Sequence, residues 1–137
     1  MMPPMRSALL ILALALTVAA PALAQKHGRL AAQEADDLDL GRTLPYLAYT
    51  LGELHYLAYA CEGPDAQGWR QHMIDLLAIE AADDTRLRER LTDSFNDGYR
   101  AQQRYRAPCG AAADAERRAL AHRGRDLSEM MRSAYFD

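Results

Sequence analysis

Five side chains capable of chemistry fall within residues 53–61 of the stretch GELHYLAYACEG, residues 52–63. They are Glu53, His55, Tyr56, Tyr59 and Cys61. A glutamate and a histidine act as a metal-ligand pair on one helix face when they are three residues apart. Glu53 and His55 are two positions apart, so on a helix their side chains lie on different faces. This stretch by itself therefore predicts no catalytic residue.

A metal site shared by two helices is the alternative interpretation of these residues. His72 and Asp75 have the three-residue spacing that places two side chains on one face, and Glu80 lies farther along the same segment. The alternative function is then a small metal-binding protein or enzyme whose ligands are Glu53, His55, His72 and Glu80. The chain contains neither an H-E-x-x-H motif nor a Glu-x-x-His pair, so we predict no metal ligand set as the first interpretation.

Motifs for other kinds of catalysis are missing from the sequence. There is no G-x-S-x-G nucleophile motif, and Ser94, Ser128 and Ser133 have no histidine nearby in sequence. The chain also lacks a glycine-rich phosphate loop and the C-x-x-C-H motif of haem attachment. We therefore predict no cofactor, and a protein that is not an enzyme is favoured.

A second polar cluster occurs in FNDGYR, residues 95–100. Its Asn, Tyr and Arg side chains, together with polar and aromatic residues of the two preceding segments, form a candidate binding cluster. The cluster comprises Glu53, His55, Tyr56, Trp69, Arg70, Asn96, Tyr99 and Arg100. The alternative is a buried hydrogen-bond network that fixes the packing of the helices. An apolar helical stripe also runs through FNDGYR, and Gly98 lies inside it. A glycine at this place predicts close approach of another helix, with Gly52 as the partner.

The first periodic segment is also unusually rich in tyrosine. Tyr46, Tyr49, Tyr56 and Tyr59 all fall in it, and Tyr49 and Tyr56 are seven residues apart on one face. Tyrosine is typical of partner-binding surfaces because it is large, rigid and amphipathic. It also fits a helix that is buried on most sides with its hydroxyl groups reaching water. Both interpretations stay open.

These residues are positioned by helices, since the chain has helical periodicity after residue 43 and no sustained alternation with period two. The first helix is predicted to open at Pro45, to end at Gly63 and to bury one stripe of leucines. Cap residues and turn signals then separate three further helices, and short connections make consecutive helices antiparallel neighbours. The predicted fold is an all-α, small antiparallel bundle of about four helices with one disulfide, covering residues 44–137.

The N-terminal residues 1–24 have the pattern of a signal peptide. Arg6 precedes the apolar run ALLILALALTVAA, and Ala22-Leu23-Ala24 is a cleavage site. Residues 25–43 are polar and acidic, and we interpret them as a flexible leader. The protein is therefore predicted to be exported to the periplasm, with cleavage after Ala24 and no membrane-spanning segment in the mature chain.

The cysteine count supports the same compartment. Cys61 and Cys109 are the two cysteines of the chain, and an even count in an exported domain predicts a disulfide. Neither belongs to a C-x-x-C redox motif, so we predict a structural bridge.

Charge is unevenly distributed along a chain whose net charge is −3. Acidic residues predominate up to Asp84, and arginines predominate after Thr85. The arginine-rich half predicts either a surface for an anionic partner or a fold in which the two halves interleave their charges. The predicted export argues against nucleic acid as the natural ligand, so we predict no nucleic-acid partner.

The order of motifs resembles a family of small exported alphaproteobacterial proteins that is grouped as a domain of unknown function. The resemblance depends on LGELHYLAYAC, WRQHMIDLLAIE, FNDGYR and Cys109, and it covers residues 51–109. It implies an exported helical protein with paired cysteines, and it implies no activity. The predicted function is therefore a non-enzymatic binding or interaction protein of the cell envelope, with an envelope protein or another envelope component as its partner.

Overall fold

The described part of the chain folds into four α-helices. A computed structural model describes the backbone of residues 22–105 and 108–136, and the side chains of these ranges from residue 40 onward. The helices are α1 (Ala22–Glu62), α2 (Gly68–Glu80), α3 (Thr85–Tyr105) and α4 (Ala111–Phe136). No strand occurs in the described ranges. The predicted all-α bundle of four helices is confirmed, whereas residues 1–21 of the predicted signal peptide lie outside the described part.

The start of α1 differs from the prediction. The helix does not open at Pro45 but is continuous from Ala22, with Pro45 in its interior. The residues predicted as a leader, 25–43, are thus helical in the structure. Twelve of these 19 residues are alanine, leucine, glutamine, glutamate, lysine or arginine, which are strong helix formers whatever their polarity. An internal proline removes one hydrogen bond and weakens the helix, but it does not always end it.

α1 is the central helix of the bundle, and the other three pack around it. Most of its residues between 43 and 58 are buried, on several faces and not along one stripe as predicted. The buried apolar side chains are Leu44, Leu47, Ala48, Leu51, Leu54, Leu57 and Ala58. A helix whose buried residues are not confined to one stripe is characteristic of the inside of a protein. Within the described residues α4 packs on α1 and not on α3, which precedes it in sequence.

The contact between α1 and α3 is made by two glycines. A Cβ atom on Gly52 would lie 1.9 Å from the carbonyl oxygen of Phe95, and one on Gly98 would lie 2.0 Å from that of Tyr49. The two backbones therefore touch directly. This confirms the prediction that Gly98 permits close approach of a helix at Gly52.

The disulfide between Cys61 and Cys109 is present, with 5.5 Å between the two Cα atoms. It joins the last turn of α1 to the connection between α3 and α4. Gly63 follows with φ of 101°, a left-handed conformation that glycine adopts readily and that ends α1 where the sequence predicts. No helix in the described part of the chain has an apolar stretch long enough to cross a bilayer.

Candidate functional site

Within the described residues, a cleft with α1 in its wall opens between each pair of the helices that surround α1. The His55 cleft lies among α1, α2 and α3 and has a volume of about 430 Å³. The Glu53 cleft lies among α1, α3 and α4 and has a volume of about 490 Å³. The apolar groove lies among α1, α2 and α4 and also measures about 430 Å³. Each cleft has a different chemical character.

The His55 cleft combines polar and aromatic side chains. Its wall comprises His55, Tyr59, Gln67, Arg70, Phe95, Asn96 and Tyr99. The His55 ring stacks on Phe95 and approaches Tyr99, with centroid distances of 5.7 Å in both cases. Tyr56 contacts the edge of Tyr99 at 5.2 Å from the outer side of this group. The aromatic contacts hold the imidazole in one orientation in the wall of the cleft.

Burial and a neighbouring positive charge favour the neutral form of His55 by lowering its pKa. Burial lowers the pKa of this histidine, and the nearby positive charge of Arg70 lowers it further. His55 Nδ1 is buried and has no hydrogen-bond partner among the described residues. Arg70 is exposed and forms no ion pair in the same part of the chain. Burial, together with the neighbouring Tyr59 and Tyr56, raises the pKa of Tyr99, so its hydroxyl group stays protonated.

Protonation of His55 is expected to destabilise the fold. Because the folded pKa lies below the ordinary value of 6.5, the unfolded chain binds this proton more readily. The stability due to neutral His55 is complete above pH 6.5 and is lost as the pH falls below it. In urea denaturation between about pH 8 and about pH 5, we expect wild type to lose more stability than His55→Phe. The other histidines are common to both proteins and cancel in the comparison, and equal losses would contradict the prediction.

The Glu53 carboxylate, in the wall of the Glu53 cleft, belongs to a polar network that extends behind this wall. Arg123 forms an ion pair with Glu53 and donates from Nε to the fully buried Thr50 hydroxyl at 3.0 Å. The Arg123 guanidinium also lies over the Tyr46 ring, 4.9 Å from its centroid. The planar guanidinium contacts a carboxylate, a hydroxyl and an aromatic face together, as arginine is suited to do. One oxygen of the Glu53 carboxylate is thereby paired with the positive charge of Arg123.

A glutamine occupies the other side of Glu53. Gln102 Nε2 donates to Glu53 Oε1 at 3.3 Å and to Glu116 Oε1 at 3.4 Å. Gln102 is 7% exposed, and its Oε1 is buried without a partner. The network therefore connects α1 with both α3 and α4.

Sequence reasoning did not identify Arg123, Thr50 or Glu116. One signal was present, because Thr50 and Glu53 share a helix face at three-residue spacing inside a buried segment. A buried Thr-x-x-Glu pair requires donors from another helix. Nothing in the sequence distinguishes Arg123 from the other arginines of α4 as that donor, since the choice depends on how α4 is rotated.

The apolar groove has α1 as its floor. Its apolar side chains are Leu47, Leu51, Leu54, Trp69, Leu76 and Ile79. Trp69 and His72 contact each other at 5.5 Å, and both line this groove.

The structure separates the predicted binding cluster into groups. The His55 cleft unites His55, Arg70, Asn96 and Tyr99, with Tyr56 packed against Tyr99. The other three members lie elsewhere. Glu53 belongs to its own cleft, Trp69 lines the apolar groove, and Arg100 forms an exposed ion pair with Asp97 at 3.2 Å.

The alternative ligand set of Glu53, His55, His72 and Glu80 is not brought together. Its first three members face three different clefts. Glu80 accepts a hydrogen bond from the Tyr135 hydroxyl at 2.8 Å. Within the described residues, no three histidine, cysteine, aspartate or glutamate side chains are grouped in a way that would hold a metal ion. This geometry does not support the metal-site alternative.

Comparison with known proteins identifies one family. The family described as "Protein of unknown function (DUF2385)" matches residues 40–135. No curated protein and no solved structure is significantly similar to the chain. The match confirms the predicted resemblance to a domain of unknown function, while its exported and alphaproteobacterial aspects stay predictions.

Proposed function

The chain belongs to the family of unknown function DUF2385, and we propose that it is a non-enzymatic binding protein of the cell envelope. Its ligand is an anionic compound that enters the His55 cleft. The observation that supports this proposal most directly is the Arg70 guanidinium, which has no ion-pair partner in the described residues and lies close enough to influence the buried His55. An exposed cation at the mouth of a cleft attracts anions.

The other groups of the cleft match the same class of ligand. The Asn96 amide and the protonated Tyr99 hydroxyl provide hydrogen-bond donors beside Arg70. Tyr59 and Phe95 add aromatic surface for the uncharged part of a ligand. A volume of about 430 Å³ suits a small molecule or a headgroup rather than a single ion. Carboxylate or phosphate is the group that a guanidinium recognises best.

Binding is favoured over catalysis by the residues that accompany His55. Catalytic histidines act on a nucleophile or substrate proton and are oriented by a hydrogen bond from their second nitrogen. The residues that line this cleft include no serine, cysteine or carboxylate. His55 Nδ1 has no orienting partner in the described part of the chain. The site therefore has donors for recognition and lacks the parts of an acid–base relay.

Export is part of the proposal. The signal-peptide pattern of residues 1–24 supports it. A disulfide also fits the oxidising periplasm better than the reducing cytoplasm. An anion that a periplasmic protein meets is a phosphate of a lipid headgroup or a carboxylate of the cell-wall sugars. The shared chemistry is an anionic group on a hydroxyl-rich body.

Titrations with matched anionic and neutral compounds test this proposal. Glycerol 3-phosphate is paired with glycerol, and N-acetylmuramic acid is paired with N-acetylglucosamine. We expect saturable shifts of the His55, Asn96 and Tyr99 amide resonances with one or both anions and none with the neutral compounds. The anion that binds more tightly identifies the phosphate or the carboxylate source.

Arg70→Ala is expected to weaken anion binding by about tenfold or more, because a charge-assisted hydrogen bond is lost. Arg90→Ala is the matched control, since Arg90 is an exposed arginine outside this cleft. Absence of saturable binding by both anions, or equal affinities of wild type and Arg70→Ala, would overturn the proposal.

A further inference from the structure

The Glu53 cleft presents a charge opposite to that of the His55 cleft. The described residues that line it include two carboxylates, Glu53 and Glu116, and no basic side chain. Arg123 pairs with one oxygen of Glu53. Glu116 has no ion-pair partner in the described part of the chain. One carboxylate charge therefore remains uncompensated within the cleft.

Gln102 occupies the position between the two carboxylates. Its Nε2 bonds to them are 3.3 and 3.4 Å long, against about 2.9 to 3.0 Å for a typical N–H···O bond. A neutral amide thus spans a gap between two anions with long hydrogen bonds. Hydrogen bonds from charged donors to carboxylates are shorter than those from neutral donors and roughly twice as strong. A cationic N–H donor would satisfy this position better than the amide does.

The unpartnered Oε1 of Gln102 supplies a further acceptor when the amide turns. The side chain is more than nine-tenths buried and lines the cleft, yet the carbonyl oxygen accepts no bond from the described residues. The opposite amide orientation would turn this oxygen toward two carboxylates, which is repulsive. A cation between the carboxylates removes this repulsion, and a half-turn of the amide then makes Oε1 a third acceptor.

We infer that the Glu53 cleft binds a primary ammonium group between Glu53 and Glu116, with Gln102 as the third acceptor. The three N–H donors of an ammonium match three acceptors that belong to three separate side chains. A guanidinium is suited instead to the two oxygens of one carboxylate. The rings of Tyr49 and Tyr105 line the same cleft and provide faces for the cation and its methylene chain.

Two features distinguish an organic cation from a metal ion. The cleft measures about 490 Å³, which accommodates a molecule of several heavy atoms. Calcium requires six to eight oxygen ligands and magnesium an octahedral set, whereas this cleft offers two carboxylates and one amide, and one of the carboxylates is already paired with Arg123. The N-terminus of α4 lies nearby, but Asp114 in its first turn offsets the partial positive charge there.

The test uses ammonium compounds and an uncharged analogue on the full-length protein. 1,5-Diaminopentane represents a free amine, Nα-acetyl-lysine methylamide represents a lysine side chain, and 1,5-pentanediol is the uncharged analogue. We expect saturable shifts of the Tyr49, Gln102 and Glu116 amide resonances with at least one ammonium compound and none with the diol. The ammonium compound that binds more tightly identifies a free amine or a protein as the source.

Glu116→Gln is expected to weaken ammonium binding by about tenfold or more without lowering the melting temperature, because Glu116 is exposed. Glu129→Gln is the matched control, an exposed glutamate on the same helix outside the cleft. Arg70→Ala should bind the ammonium compounds as tightly as wild type does. A negative result at the Glu53 cleft is therefore distinguishable from a negative result at the anion site of the His55 cleft. Equal binding of the diol, unchanged binding by Glu116→Gln, or tighter binding of calcium chloride at the same resonances would overturn the inference.

Discussion

Gly98→Ala is expected to destabilise the protein by about 3 kcal/mol, although alanine is a better helix former than glycine. The new methyl group would lie 2.0 Å from the carbonyl oxygen of Tyr49 and 3.2 Å from the backbone nitrogen of Glu53. These are backbone atoms of the central helix, so no side-chain rotation relieves the clash. α1 and α3 must separate, and the core between them loses its packing. Chemical denaturation measures the loss of unfolding free energy.

Two other glycines provide matched controls for this substitution. Nothing lies within 4 Å of a Cβ on Gly41 of α1, and the nearest atom to one on Gly124 of α4 is Thr50 Cγ2 at 3.8 Å. Both are helical, so Gly41→Ala and Gly124→Ala should leave stability unchanged or raise it by up to about 1 kcal/mol. If Gly98→Ala has the same free energy of unfolding as these two variants, the backbones of α1 and α3 are not in direct contact and the prediction is wrong.

The glycine contact was predictable because its signal is local. A glycine inside an apolar helical stripe is unfavourable unless another backbone requires the space. Gly98 has that setting, and Gly52 is the corresponding glycine of the first helix. The end of α1 at Gly63 is a signal of the same kind. The cysteine pair was predictable because only one pairing within the chain is possible.

The start and burial of α1 were not predictable from equally local signals. Pro45 and the polar residues before it favour a boundary, yet the structure continues the helix through them. The sequence also shows one leucine stripe on α1, whereas three helices surround it. How many partners a helix has depends on the whole arrangement of the bundle. Local periodicity reports only the most apolar face.

The candidate sites show the same limit. The residue types of the His55 cleft were identified from the sequence. Glu53, Trp69 and Arg100 were assigned to the same cluster but lie elsewhere, because the cleft that a side chain faces depends on how its helix is rotated. Glu53 and His55 are two residues apart, which predicts different faces, and the structure places them in different clefts. The spacing therefore contained the correct answer about these two residues. The residues that α4 adds could not be assigned without its orientation.

The α1–α3 crossing links the two proposed sites. Gly52 precedes Glu53 and lies three residues before His55, so the close backbone contact is adjacent to both clefts. Gln102 and Asn96 lie on either side of Gly98 along α3 and line one cleft each. The crossing thus fixes the distance between the walls of both clefts. One helix pair positions the residues of both proposed sites.

Removal of the disulfide in the double variant Cys61→Ser/Cys109→Ser is expected to give the other large effect, a loss of about 4 kcal/mol. The bridge connects residues 48 positions apart, and its absence increases the conformational entropy of the unfolded chain. Serine is nearly isosteric with cysteine, and Cys109 is exposed, so little core packing is lost. For a domain of this size the melting temperature should fall by roughly 15 to 30 °C.

Wild type measured in a reducing agent provides the control for this variant. Reduction breaks the same bond without changing any residue, so reduced wild type and the double variant should melt at similar temperatures. Reducing agent should in turn have no effect on the double variant, which has no cysteine left. The bridge joins the end of α1 to the connection between α3 and α4 and lines neither cleft. We therefore expect its loss to act on the ensemble of unfolded chains rather than on either cleft. If the oxidised protein and the double variant melt at the same temperature, the structural role of the bridge is wrong.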